Sequence, residues 1–256
     1  MIAIPDHQQT VIDIPPGDPY SDELTMETDQ PVRQMLLLTS CLDWLWQDRN
    51  DFFASGNLTI YFNPKQIKSQ DFRGPDFFVV LDTERRIRKS WVVWEEDGKY
   101  PNVIVEILSD GMAKTDRETK KEIYQNTFRT PEYFWFDPNT LEFKGFLLMG
   151  GRYEPIEPNA TGQCWSRQLE LFLGVEGRSL RFFTPDGTLV PTPAEAATQA
   201  QRVAQQAQQA AQQAQQDMQQ AQHDVQQAQQ DVQQAQQKAQ RLAARLRKLG
   251  VDPDTL

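Results

Sequence analysis

A chain of 256 residues, 39% hydrophobic and 24% charged, suits one globular domain plus an extension, and its two cysteines are too few for a disulfide scaffold. No apolar run approaches the ~20 residues of a membrane helix, and Met1-Ile-Ala-Ile-Pro-Asp has no basic stretch ahead of an apolar one. A soluble, cytoplasmic protein is therefore expected, with Cys41 and Cys164 as reduced thiols.

The net charge of −10 is unevenly spread, which weakens its apparent argument against a nucleic-acid partner. Residues 1–30 hold seven acids and no Lys or Arg, an acidic arm that also carries His7. Between Pro31 and Pro191 there are 20 basic and 23 acidic residues, so this globular core is only mildly acidic. Seven basic residues crowd between Lys65 and Lys89, a cluster that fits either a solvated face or a surface for phosphates.

In chain order, the core opens on a helix from Pro31 to Asp48, with Met35, Leu38, Leu42, Leu45 and Trp46 on its apolar face. Short β-rich runs follow at Leu58 to Phe62, Asp76 to Leu81, Trp91 to Trp94, Val103 to Leu108 and Glu132 to Phe136. A helix from Asp116 to Phe128 separates the last two, and further strands are expected near Glu142 to Leu148 and Leu180 to Phe183. This order predicts an α/β fold with a mixed sheet flanked by helices.

Glu106 stands out in this stretch, because it interrupts Val103-Ile-Val-Glu-Ile-Leu108, a run that otherwise reads as a central strand. Buried and unpaired, its carboxylate would cost several kcal/mol, so it needs a metal, a cation or a proton unless it faces water on an edge. Asp76, after the Gly74-Pro75 turn, either closes that turn or serves as a second acid. Magnesium is held by one or two carboxylates together with substrate phosphates, which two acids at neighbouring strand ends can supply. Lys120, Tyr124 and Phe128 recur every four residues and so share one helical face. If the two aromatics meet the sheet, Lys120 is carried inward; a surface lysine snorkelling over apolar neighbours is the alternative.

Gly74-Pro-Asp76, Val105-Glu-Ile-Leu-Ser109, Asp116, Lys120-Lys-Glu-Ile-Tyr124 and Pro131-Glu-Tyr-Phe-Trp-Phe-Asp137, in this order and spacing, resemble the Uma family of restriction-endonuclease-like proteins in the PD-(D/E)XK nuclease superfamily. The resemblance covers roughly Ser21 to Phe183. It implies a restriction-endonuclease-like core and a magnesium-dependent endonuclease that hydrolyses phosphodiester bonds of nucleic acid, DNA before RNA. Asp76 and Glu106 match the two acids. The superfamily's lysine two residues beyond the second acid is missing, since Leu108 stands there, and Lys120 matches its displaced counterpart. The resemblance to the superfamily further implies that the backbone carbonyl of Ile107 joins Asp76 and Glu106 in the metal shell. The competing expectation is a non-catalytic oligomeric scaffold that keeps the nuclease fold. Two carboxylates gathered for a metal should repel in its absence, so Glu106→Gln is expected to melt at or above the parent in metal-free buffer; if Glu106 is instead an anchor paired with a buried Arg or Lys, the same change should cost roughly 3 to 5 kcal/mol.

Beyond Pro191 the chain changes character. Apolar or small residues alternate at four- and three-residue spacing from Ala200 through Met218, Val225, Val232, Leu242 and Leu246 to Leu249, which is a coiled-coil seam over residues 192–249. Thr192-Pro193-Ala194-Glu195 supplies a cap, a first-turn proline and a capping-box glutamate, and Gly250 and Pro253 end the helix, leaving 250–256 as a tail. Such a helix is about 85 Å long. It is expected to associate with itself or with a like helix. Its flanks are mostly glutamine, and His223 faces outward, so neither histidine has a catalytic neighbour.

Overall fold

The computed structural model describes residues 29–63, 74–108 and 114–248. The acidic arm with His7, the basic residues Lys65, Lys68 and Arg73, and the expected helix stop at Gly250 lie outside them. The chain divides into two units, Met1–Ala194 and Glu195–Leu256.

In the first unit α1 (Asp29–Leu45) leads into β1 (Phe52–Gly56), β2 (Ile60–Tyr61), β3 (Phe77–Leu81), β4 (Trp91–Val92) and β5 (Val103–Ile107). Then come α2 (Lys114–Ile123), a π-helical turn at Tyr124–Phe128, β6 (Glu132–Phe136), β7 (Phe143–Met149) and β8 (Arg152–Pro155). Strands β9 (Cys164–Ser166), β10 (Leu171–Glu176) and β11 (Ser179–Phe183) close the unit. The main sheet is six-stranded, in the order β1-β3-β5-β6-β7-β8. Within this sheet, among the described residues, only β5 and β6 run parallel, Val103 opposite Glu132 and Ile107 opposite Phe136, with α2 crossing between them.

Alternation along the strands sorts the core into two layers. Phe77, Val79, Val103, Val105, Phe134 and Phe136 face α1 and the three-stranded sheet β9–β11, where Leu38, Leu42, Leu171, Leu173, Leu180 and Phe182 complete one cluster. Phe78, Val80, Ile104, Tyr133 and Trp135 face the other way, against Phe53, Ile60, Trp91, Tyr124 and Phe128. A sheet covered on both faces explains why β3, β5 and β6 read as continuous apolar runs. Cys41 and Cys164 are buried, unbridged thiols, as expected.

Several elements differ from the sequence expectation. Helix α1 starts and stops earlier than Pro31 to Asp48. The run Leu58 to Phe62 contributes only the two-residue β2, and Trp91 to Trp94 divides into β4 and a 3-10 turn at Val93–Glu95. Among the described residues these two strands pair with each other, in a small parallel two-stranded sheet separate from the main one. Strands β1, β8, β9 and β10 carried too little alternation to be read.

The described residues of the second unit all belong to α3 (Pro193–Lys248), one continuous helix that begins at the expected first-turn proline. Among the described residues no helix is long and apolar enough to cross a membrane.

Candidate active site

The sheet register brings the two acids together. In the antiparallel pair β3–β5, Phe77 lies opposite Val105, so one step further Asp76 comes opposite Glu106, on the same face as Phe78 and Ile104. Asp76 is placed by its neighbours. A Cβ on Gly74 would come within 1.9 Å of the Leu58 carbonyl oxygen, so only glycine lets the chain pass there. The Asp76 carbonyl then accepts the Asn57 N–H at 3.1 Å, and its side-chain Oδ2 accepts the Ile107 N–H at 2.6 Å. One residue before β3 begins, this carboxylate supplies the acceptor that a strand's backbone would have offered.

Glu106 is 1% exposed, and both of its oxygens are engaged. Lys120 Nζ donates to Oε2 at 2.9 Å and Tyr124 Oη donates to Oε1 at 2.6 Å. Lys120, Tyr124 and Phe128 are all buried, the inward-facing one of the two arrangements their four-residue spacing allowed, whereas Lys121 turns away and sets its ammonium 3.5 Å from the Phe146 ring centroid. Burial first, and the Glu106 charge and hydrogen bond next, push the Tyr124 phenol well above its ordinary pKa, so it remains a donor to the carboxylate. Sequence reasoning used Tyr124 only to mark the inward face of the helix. Its spacing from Lys120 was visible, but that its hydroxyl ends on Glu106 depends on how closely α2 sits over β5. The helix changes from α to π at Tyr124, and such turns cluster at functional sites.

Asp76, Glu106 and Lys120 thus converge, and Ile107 lies beside them. Successive strand residues direct their backbone groups alternately to the two neighbours. The Leu108 N–H bonds to Phe136 of β6, so the backbone of Ile107 faces the opposite side, toward Asp76. Its carbonyl oxygen belongs on that side too. A metal here would meet an all-oxygen set, which suits a hard cation, and a carboxylate offers about four acceptor positions, so hydrogen-bonded oxygens can still face one. Among the described residues no three His, Cys, Asp or Glu gather into a cluster. A cation held here would draw further oxygens from elsewhere, as magnesium does from phosphate.

Of the two expectations for Glu106→Gln, the pairing with Lys120 fits the one in which Glu106 is an anchor whose loss leaves a buried cation behind. The basic cluster is in part paired as well. Arg88 grips Glu96 at 2.6 and 2.9 Å, Arg86 reaches Glu96 at 2.7 Å, and Arg85 reaches Asp43 at 2.6 Å, so these three already serve carboxylates of the chain.

A family model described as Uma2, putative restriction endonuclease, matches residues 25–182. Among curated proteins none matches the chain. Among solved structures, a putative nuclease belonging to DUF820 from Anabaena variabilis ATCC 29413 is similar over 52% of this chain and 69% of that chain, at 18% identity and a TM-score of 0.36.

Proposed function

The chain belongs to the Uma2 family of putative restriction endonucleases, and from that premise we propose that it is a magnesium-dependent endonuclease whose centre is Asp76, Glu106 and Lys120. The observation that carries this reading is the meeting of the three side chains on one face of the sheet, with Lys120 Nζ 2.9 Å from Glu106. Asp76, Glu106 and the Ile107 carbonyl would hold magnesium, which when bound polarises a phosphodiester and lowers the pKa of a water. Lys120 has the position of a cation that steadies charge developing on phosphate oxygens, and the Tyr124 hydroxyl keeps Glu106 oriented. The substrate class is nucleic acid, with DNA favoured by the restriction-endonuclease family. The expected cytoplasmic location is part of the same reading, as is self-association through residues 192–249.

One observation favours a second reading, in which the fold is retained as a non-catalytic scaffold. A glutamate whose two oxygens are taken by a buried lysine and tyrosine is also what a structural anchor looks like. A cleavage assay separates the two. Plasmid, linear duplex, single-stranded DNA and RNA are incubated with the full chain in magnesium or in chelator, and the parent is compared with Glu106→Ala and Asp76→Ala. The endonuclease reading expects magnesium-dependent cleavage that falls at least about a hundredfold in both variants. Cleavage that survives both substitutions, or none by the parent on any of these substrates, promotes the scaffold. Melting in added magnesium gives a readout besides activity: the parent should rise and Asp76→Ala should not.

A further inference from the structure

The described part of α3 has its seam exposed, with Val225, Val232 and Leu242 each more than half open to solvent. Its charges are not scattered. With the seam at heptad positions a and d, the g positions from Asp217 onward are Asp217, Asp224, Asp231, Lys238 and Arg245, all exposed, while the e positions Gln208, Gln215, Gln222, Gln229 and Gln236 are uncharged. Each of the three aspartates also accepts a hydrogen bond from the glutamine four residues before it, at 2.8, 2.8 and 3.2 Å. The g side therefore changes sign between Asp231 and Lys238.

Residues at e and g decide orientation in a coiled coil. In a parallel pair g of one helix meets e of the other, and here every acidic g would meet glutamine. In an antiparallel pair g meets g. We propose that α3 is the interface for a second copy of this chain, paired antiparallel about a point between Asp231 and Lys238. This rests on the self-association named above and adds its partner, orientation and register.

In that register Asp231 faces Lys238 of the second copy and Asp224 faces Arg245, and symmetry repeats both pairs. A slip of one heptad in one direction sets Asp231 against its own copy, and in the other direction Lys238 against its own copy. Among registers that bring these four residues against one another, the chosen one alone avoids a like-charge contact between them. The seam then layers Val225 on Leu242, Ala228 on Ala239 and Val232 on Ala235: large on large at the ends, alanine on alanine next, and valine on alanine at the centre. The place opposite Asp217 falls beyond Lys248, outside the described residues.

Two full-length chains, Ala228→Cys and Ala239→Cys, one of them mass-tagged, test the orientation with a short thiol-reactive cross-linker. The native Cys41 and Cys164 are buried and do not compete. The antiparallel pair gives a tagged–untagged cross-link on mixing and little cross-linking of either chain alone. Strong cross-linking of each chain to itself overturns the orientation while leaving self-association standing. A chain that sediments as a monomer at all concentrations overturns both. Charge exchange tests the register. Asp224→Arg with Asp231→Lys should weaken dimerisation about tenfold, and adding Lys238→Asp with Arg245→Asp should restore it. Circular dichroism of each variant checks that the helix persists. If neither exchange alters the sedimentation equilibrium, the g-to-g pairing is wrong.

Discussion

Glu106, proposed above as a metal ligand, is also bound into the fold. Its carboxylate is almost wholly buried, with Lys120 at 2.9 Å and Tyr124 at 2.6 Å. Removing one member of a buried ion pair leaves the other uncompensated. Glu106→Gln in chelator should therefore melt below the parent, at a cost of roughly 3 kcal/mol. Adding Lys120→Met should recover part of that loss, because the orphaned ammonium goes too. Urea titration of the parent, both single variants and the double gives the coupling, and additive losses would show that the pair contributes nothing as a pair. A second buried glutamate lies on the opposite face of the sheet. Glu132 accepts hydrogen bonds from Ser166 Oγ and from the N–H groups of Arg167 and Gln168, at 2.7 and 3.3 Å for the latter two. Burial outweighs these bonds and raises its pKa. A raised folded-state value means the native chain binds this proton more tightly than the unfolded chain. The contribution is then fully present below the unfolded glutamate value and is lost as pH rises through the raised one. Glu132→Gln should remove that part of the slope when denaturation midpoints are compared from about pH 4 to pH 7.

At the scale of elements, the site depends on how strands begin and helices end. Asp76 lies one residue before β3, after a glycine whose missing side chain lets the backbone pass against Leu58. Gly74→Ala should cost roughly 2 to 4 kcal/mol and disturb Asp76 first, because the clash is with backbone that cannot move aside. Chemical denaturation measures the first effect and the magnesium response the second; an unaltered midpoint would mean that the loop yields easily. The π turn at Tyr124 is the corresponding device on α2. The first backbone groups past the turn, the N–H of Arg129 and that of Thr130, both end on the Tyr124 carbonyl, and Arg129 takes a left-handed conformation at φ 52° to do so.

For the molecule as a whole, both core clusters are built from residues up to Val190, so the first unit has its own interior. Deleting residues 195–256 should leave its cooperative melting transition in place while abolishing self-association. Replacing Leu242, Leu246 and Leu249 by glutamine should do most of the same damage to assembly. Calorimetry and sedimentation on the same samples check both, and loss of the core transition would show that the units stabilise one another.

Local patterns determined much of this protein from the sequence alone. The heptad spacing specified a single long helix, because periodicity is written residue by residue and a helix needs only local hydrogen bonds. Pro193 marked its first residue. A charged residue inside Val103–Ile107 marked Glu106 as exceptional, and the four-residue spacing of Lys120, Tyr124 and Phe128 marked a buried helical face, since both depend only on strand and helix periods. The strands β1, β8, β9 and β10 were not legible: β1 is held by β3, well beyond it in the chain, while β8 and β9 are only four and three residues long and β10 is interrupted by Gly174. Only the tertiary structure decided that Asp76 stands opposite Glu106, that Lys120 and Tyr124 both end on that carboxylate, and that Arg85, Arg86 and Arg88 answer to carboxylates of the chain. Register between strands and the distance of a helix from a sheet are set by packing across the core, and no run of neighbouring residues records them.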